Sequence, residues 1–386
     1  MGFRVDCYDT LIKNGHIYDP ERGVDMIGHI GILEPNIATI IDPDHIPGKI
    51  CAHRVIDATG YYVVPGLIDG HAHVVDGAWF NFPPERMFER GITSCIDLGS
   101  VSWPGFNRNR KKCINDFPAT IQAALMLTVN AEIGCAAELW ADVDTEVNIE
   151  RLKECFEINK DILVGIKILV GKNETPTPEL IHRVFKKTRE ACDEIGCRMF
   201  AHIANPPIPA SEWLSYFKPG DVVTHTYNKG NILDENGQVL PEVWEARKRG
   251  VIFDTGRGSR NWSVEMAKPA FEQGFYPQMI TSDLSSLSND PHTSRLNVHM
   301  AECMALGMDF KDVLYCVTDA PAAVMNNVTV GLKVGNRANI SVLDLKEGEV
   351  EFVDAFGVKT KGNKQVLPVA TIVNGKVMFD KTNTDY

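Results

Sequence analysis

The sequence predicts an α/β fold: a (β/α)8 barrel carrying a small β-sandwich built from both ends of the chain. Two observations carry that expectation. Between residues 64 and 330, short apolar runs alternate with amphipathic helical stretches, the repeat of a parallel sheet with helical crossovers. Five of these runs end at or near a residue that can bind a metal. VVPGLIDGHAH carries His71 and His73, GIKILV Lys167, MFAHIAN His202, VVTHTYN His225 and MITSDLS Asp283. In such a barrel the C-terminal strand ends converge on one face, where catalytic groups collect.

Residues 1–63 read as strands and turns. LIKNGHIYD alternates around Asn14–Gly15, a hairpin signal, and GHIGILEPNIATI and HRVIDATGYYVV continue the β pattern. Residues 64–330 hold eight candidate strands: VVPGLID, ITSCIDLG, TIQAALMLTV, LVGIKILV, RMFAHIA, DVVTHTY, VIFDTG and QMITSDL. Eight strands can close a barrel of this kind. One intervening helix shows the signals fully. Thr177 caps it, Pro178 suits its first position and Gly196 follows its last turn. Leu180, Ile181, Val184, Phe185, Cys192 and Ile195 form its apolar face, opposite Lys186, Lys187, Arg189 and Glu190. Residues 331–386 return to β, with NISVLDL, VEFVDAFG and VATIVNGKVM turning at Asn374–Gly375. The two ends, 1–63 and 331–386, are expected to form one composite β-sandwich around the barrel of 64–330.

A chain of 386 residues suits a barrel of ~250 residues plus a smaller unit. Hydrophobic content of 44% and charged content of 23% are ordinary for a folded globular chain. The net charge is −12 and the sole basic stretch is RNRKK at 108–112, which argues against nucleic acid or an anionic membrane as partner. No apolar run approaches the ~20 residues that span a bilayer. MGFRVDCYDT lacks an apolar signal segment, and Asp6 breaks a myristoylation pattern. The ten cysteines are scattered without a CxxC pair, so the expected setting is a reducing cytoplasm. Cys95 reads as a small core residue.

His71 and His73 are two apart on an extended segment, so both imidazoles point to one side, a ready pair for a zinc ion. Lys167 sits among Ile166, Ile168 and Leu169 in a strand expected to be buried, where an unpaired ammonium is costly. Two resolutions are open: a salt bridge, for example to Asp97, or reaction of the neutral amine with CO2 to give an anionic carbamate that bridges two cations. His202 and His225 end consecutive strands. Asp283 ends the eighth strand, beside the first, where it can ligate metal and accept a proton. Tyr227, Asn228 and Arg257 are candidate substrate contacts, Arg257 through an anion, although a salt bridge to Asp254 or Asp283 explains it equally. Trp103, Asn130 and the loop Leu284–Asn297 are candidate pocket walls. His16, His29, His45, His53, His182 and His299 read as structural or exposed, and His292 stands out by following Asp283.

In this order, HxH, Lys, His, His and Asp resemble the binuclear branch of the amidohydrolase superfamily. KNGHIYDP, VVPGLIDGHAH, VGIKILV, HTYN, ITSDL and VTDAPA are most similar to its deacetylase-like members, often mislabelled dihydroorotase or adenine deaminase. The likeness spans essentially the whole chain. It implies two divalent metal ions of zinc type, with a carboxylated Lys167 as bridge. His71 and His73 would hold one ion, His202 and His225 the other, and Asp283 would be the acid/base. Two departures matter: the arginine that dihydroorotases carry two residues after HxH is Val75 here, and a histidine usual in the strand-seven turn is Arg257.

The implied reaction is attack by a metal-bridging hydroxide on a small N-acyl or O-acyl carboxylate. The alternatives are a cyclic amide hydrolase, a mononuclear deaminase and a non-enzymatic homologue. HIANPP lacks the glutamate expected of such deaminases, and a non-enzymatic homologue usually loses ligands, whereas all six positions are filled. The expected partners are a small, anionic substrate and, as in relatives, further copies of the chain in a homo-oligomer.

Overall fold

The structure is a computed structural model and describes residues 7–42, 50–78, 80–129, 143–175, 177–288 and 295–382. Asn130, His45 and His292 fall outside these residues.

Both chain ends build one eight-stranded sheet. Its strands are β1 (Cys7–Asp19), β2 (Val24–Leu33), β3 (Asn36–Ile41), β4 (Cys51–Asp57) and β5 (Tyr62–Pro65) from the first end. The hydrogen-bonded path runs from the C-terminal strands through β5 to β1, β2 and β3, with β4 paired to β1 off this path. A second, facing sheet is not separate from this one among the described residues. The reason lies in β1, which pairs parallel with β4 over Cys7–Lys13 and then with β5 at His16 and Ile17. The switch falls at Asn14–Gly15, which is therefore a bulge and not the hairpin turn the dipeptide predicts. Asn14 takes a left-handed φ of 58°. A Cβ at Gly15 would lie 2.3 Å from Val63 Cγ2, so only glycine lets β5 approach there.

The second sheet is parallel and holds seven strands in chain order. They are β6 (Leu67–Ala72), β7 (Ile92–Leu98), β8 (Thr120–Met126), β9 (Leu163–Gly171), β10 (Arg198–Ala204), β11 (Val222–Thr224) and β12 (Ile252–Phe253). The helix Pro178–Ile195 between β9 and β10 begins and ends as predicted: Thr177 accepts from Leu180 N–H at 3.3 Å, and Gly196 closes it at φ 76°. The eighth candidate strand, QMITSDL, forms no continuous ladder. It bridges β12 at Asp254–Met279 and β6 at Ala72–Leu284, linking both edges of a curled sheet. Side chains replace part of the ladder there. Thr281 N–H donates to Thr255 Oγ1, Ser282 N–H to Asp69 Oδ1, and Ser282 Oγ–H to Asp69 Oδ2.

The C-terminal strands β13 (Ile340–Val353), β14 (Lys359–Val373) and β15 (Lys376–Asp380) complete the first sheet. Asn374 and Gly375, both at positive φ, make the tight hairpin between β14 and β15 that the sequence predicts. β13 pairs with β5, so positions 63 and 342 are neighbours.

Ile68, Ile96, Ala124, Phe200, Val222 and Met279 come from six segments of the curled sheet and pack as one cluster with Val324 and Met325. On the other face Ile166, Ile168 and Val170 meet the helical layer of Val184 and Phe185. Cys95 belongs to that core, fully buried. Full burial of each such large side chain contributes roughly 1.5–3 kcal/mol. Among the described residues no helix is long and apolar enough to cross a membrane.

Asp69 is the polar tie between the first strand and the eighth segment. Asp69→Ala leaves the N–H groups of His71 and Ser282 and the Ser282 hydroxyl without their acceptor. A destabilisation of about 2–3 kcal/mol in urea unfolding is expected; an unchanged midpoint would show that closure does not depend on this carboxylate.

Candidate metal centre

His71, His73, Lys167, His202, His225 and Asp283 all line one cavity of about 490 Å3 at the C-terminal ends of the parallel strands. The six residues singled out from sequence are thus brought together. Lys167 Nζ lies 3.3 Å from His71 Nε2. Asp283 Oδ1 lies 3.4 Å from His71 Nε2 and 3.2 Å from His73 Nε2. His202 and His225 pack edge to face with ring centroids 4.2 Å apart, and His71 and His225 are 5.0 Å apart. In β9 the alternation of a strand turns Lys167 and Leu169 into the cavity and Ile166, Ile168 and Val170 away from it.

Three of the imidazoles are held by their Nδ1 atoms. His225 Nδ1 lies 2.6 Å from the carbonyl of Gly256, which can only accept, so Nδ1 carries the proton. Thr224 donates its one hydroxyl proton to Asp254 Oδ2 at 2.8 Å, which leaves its oxygen to accept from His71 Nδ1 at 2.9 Å. Ser100 donates likewise to Asp97 Oδ2 at 2.8 Å and faces His73 Nδ1 at 3.3 Å. Each arrangement points Nε2 into the cavity, where that of His71 meets Lys167 Nζ and that of His73 meets the Asp283 carboxylate. Asp97 also takes the N–H groups of Val74 and Val75.

Burial sets the charge states. It pushes His71 and His225 well below their ordinary values, helped by Lys167 beside His71 and by His202 beside His225. His202 is pushed down to about 3, first by burial and then by Lys167. Burial lifts the buried Asp254 to about 6 against hydrogen bonds from Thr281 and Thr224. Burial raises the Asp283 carboxyl too, but His71, His73 and Lys167 more than offset it and hold that group below the carboxylate range.

The donor set fits a divalent cation on three observations. The donor atoms of His71, His73 and Asp283 all lie within 4.8 Å of one another. His202 Nε2 is buried with no hydrogen-bond partner among the described residues. Finally, the backbone is bent to make room. His225 and Asp283 both take left-handed conformations, φ 62° and 53°, which cost energy in a non-glycine residue. A Cβ on Gly258 would stand 2.3 Å from Asp283 Oδ2, and one on Gly256 would stand 2.6 Å from His225 Nδ1.

Two substrate candidates are placed elsewhere. The Tyr227 ring is fully buried among Trp262 and Phe271, with its hydroxyl on the Phe275 carbonyl at 2.9 Å. Arg257 is 1% exposed, and its guanidinium meets Glu302 at 3.4 Å, the Gly258 carbonyl at 3.1 Å and the Val353 carbonyl at 2.6 Å. Neither lines the cavity, and the partner of Arg257 is Glu302, not Asp254 or Asp283. Asn228 does line it, with its amide on Asn261 at 3.1 Å. Ser285 and Leu287, from the loop after Asp283, form wall as expected, whereas Trp103 does not. Lys172, Lys229, Arg260 and Phe356 also line the cavity and were not singled out from sequence. Nor were Thr224, Asp254, Gly256 and Gly258; the closely spaced glycines of FDTGRGS were the available signal.

No family model matches the chain. Proteins named deacetylase align over most of its length. One from Brucella anthropi is 27% identical over 84% of this chain and 81% of its own. One from Agrobacterium fabrum is 28% identical over 84% and 80%, and one from Enterococcus faecalis 26% over 96% and 99%. A dihydroorotase structure superposes with a TM-score of 0.84 at 24% identity over 96% of this chain and 99% of that one. An adenine deaminase structure gives 0.82 at 23% over 97% and 100%. These likenesses are consistent with a hydrolase of the amidohydrolase superfamily. Within that class, the three sequence relatives named above, which align over at least 80% of both chains, carry the name deacetylase.

The close approach at Gly258 yields a direct test. Gly258→Ala must displace the Asp283 carboxylate, and metal affinity measured by calorimetry should fall at least ~10-fold. Gly60→Ala imposes a similarly strained φ of 82° but meets nothing within 4 Å, and should leave affinity unchanged. Equal affinities in the two variants would remove Gly258 from the site.

Proposed function

We propose that the chain is a metal-dependent amidohydrolase of deacetylase type, cleaving a small N-acyl or O-acyl substrate that carries a carboxylate. The observation that supports it most is the set of imidazoles anchored through Nδ1, each turning its Nε2 to one cavity that also holds Lys167 and Asp283. His71 and His73 would hold one divalent ion and His202 and His225 the other, with Lys167, as its carbamate, and Asp283 completing the set. When bound, such ions polarise a carbonyl and lower the pKa of water towards neutrality. Zinc suits these ligands, as do manganese and cobalt.

The chain's own groups do the rest. Asp283 is 17% exposed on the cavity side, so its carboxylate can take a proton from attacking water and return it to the leaving nitrogen or oxygen. Leu98, Met126 and Leu169 line the cavity with apolar surface that limits bulk water around the reacting bond. Anion recognition passes from Arg257 to Lys172, Lys229 and Arg260 in the cavity wall. Lys229 is steadied there by Glu265 at 2.7 Å and lies 4.5 Å from the Phe356 ring centroid. Asn228 and Asn261 offer amides to orient the acyl group.

Metal stoichiometry of protein purified without chelator, with and without bicarbonate, tests the reading. About two ions per chain, restored by bicarbonate, with hydrolysis of N-acyl amino acids or acyl esters, is the expected result. One ion insensitive to bicarbonate would favour the mononuclear deaminase, and none after reconstitution a non-enzymatic protein. Lys167→Ala should abolish hydrolysis and lower bound metal; retention of both ions at full activity would sink the carbamate bridge.

A further inference from the structure

We infer that Cys7 and Cys51 form a reversible oxidation site, closing an intrachain disulfide across β1 and β4. The two residues stand directly opposite one another in the parallel ladder. Neighbouring strands lie ~4.8 Å apart, inside the Cα separations a disulfide spans. Their sulfurs are already 2.9 Å apart and share a hydrogen bond. Both thiols are exposed, whereas every other described cysteine is buried or half-buried. Cys135 lies outside the described residues. Neither Cys7 nor Cys51 lines the cavity, so the pair is free of the hydrolytic site and of the reading given to it.

The fold gives the bond something to do. Among the described residues β4 pairs with β1 alone, so one ladder holds it in the sheet. It leads through β5 into β6, whose end carries His71. A bond at its first residue would staple the start of β4 to the start of β1 and restrict the unfolded chain between them. Exposure makes such a bond accessible to reductants, as reversible disulfides are.

The oxidant is a low-molecular-weight disulfide. One cysteine thiolate attacks it and one thiol leaves; the second thiolate then attacks the mixed disulfide and releases the other thiol. Two electrons pass from the cysteine sulfurs to the oxidant, and each released thiolate takes up one of the two cysteine protons. The hydrogen bond to Cys51 raises the Cys7 thiol, so the reaction should quicken as pH rises.

The test treats the full-length native protein with oxidised glutathione, alkylates the remaining thiols and maps the peptides by mass spectrometry. The expected product is a Cys7–Cys51 cross-linked pair, two hydrogens lighter, reversed by dithiothreitol, with a raised Tm. In Cys51→Ser, Cys7 should instead retain one glutathione and the Tm gain should vanish. Two free alkylated thiols, a separate glutathione on each cysteine, or linkage of Cys192 to Cys197 in their place would overturn the assignment.

Discussion

Everything at the centre depends on where three imidazole protons are committed. Nδ1 of His71, His73 and His225 each faces an oxygen that accepts it: a threonine and a serine whose own protons go to carboxylates, and a backbone carbonyl. That fixes tautomer and ring direction together, so the Nε2 lone pairs face the cavity before any ligand arrives. Burial acts in the same sense, because neutral imidazole is the form a low-dielectric interior favours. Preorganisation of this kind means that binding a cation need not first strip a proton or turn a ring.

The anchors in turn rest on a bent backbone. His225 and Asp283 both take left-handed conformations, and Gly256 and Gly258 lie against them without side chains. Arg257, between the two glycines, fastens this turn to the helix Leu296–Ala305 through Glu302 and to the end of β13 through the Val353 carbonyl. The turn against which both strained residues lie is therefore held from two sides, the condition under which unfavourable backbone conformations persist.

The candidate ligand positions are legible because each follows a run with a clear period. Apolar residues on both faces of β6, β9 and β10 mark buried parallel strands, and a polar residue inside such a run needs a partner. Legibility ended where the chain left its strand. Tyr227 is two residues beyond His225, so strand alternation predicts that it shares the cavity; the left-handed turn at His225 sends it into the core instead. Arg257 was misplaced for the same reason, lying between two glycines with φ of 48° and 49°. The dipeptide Asn14–Gly15 promises a hairpin on local grounds, but a tertiary neighbour, Val63, makes it a bulge. Lys172, Lys229, Arg260 and Phe356 come from loops without a period, and only the fold assembles them.

The sheet that unites the two chain ends also dictates an order of assembly. β5, at residues 62–65, finds its neighbour β13 only at 340–353. As the chain leaves the ribosome, β1 to β4 can pair early, but β5 keeps an open edge until nearly the whole barrel has been synthesised. Since β5 runs almost directly into β6 and the first candidate ligands, the final seating of the first strand waits on the last. Such long-range pairing slows folding and lengthens the time an unpaired edge is open to other chains.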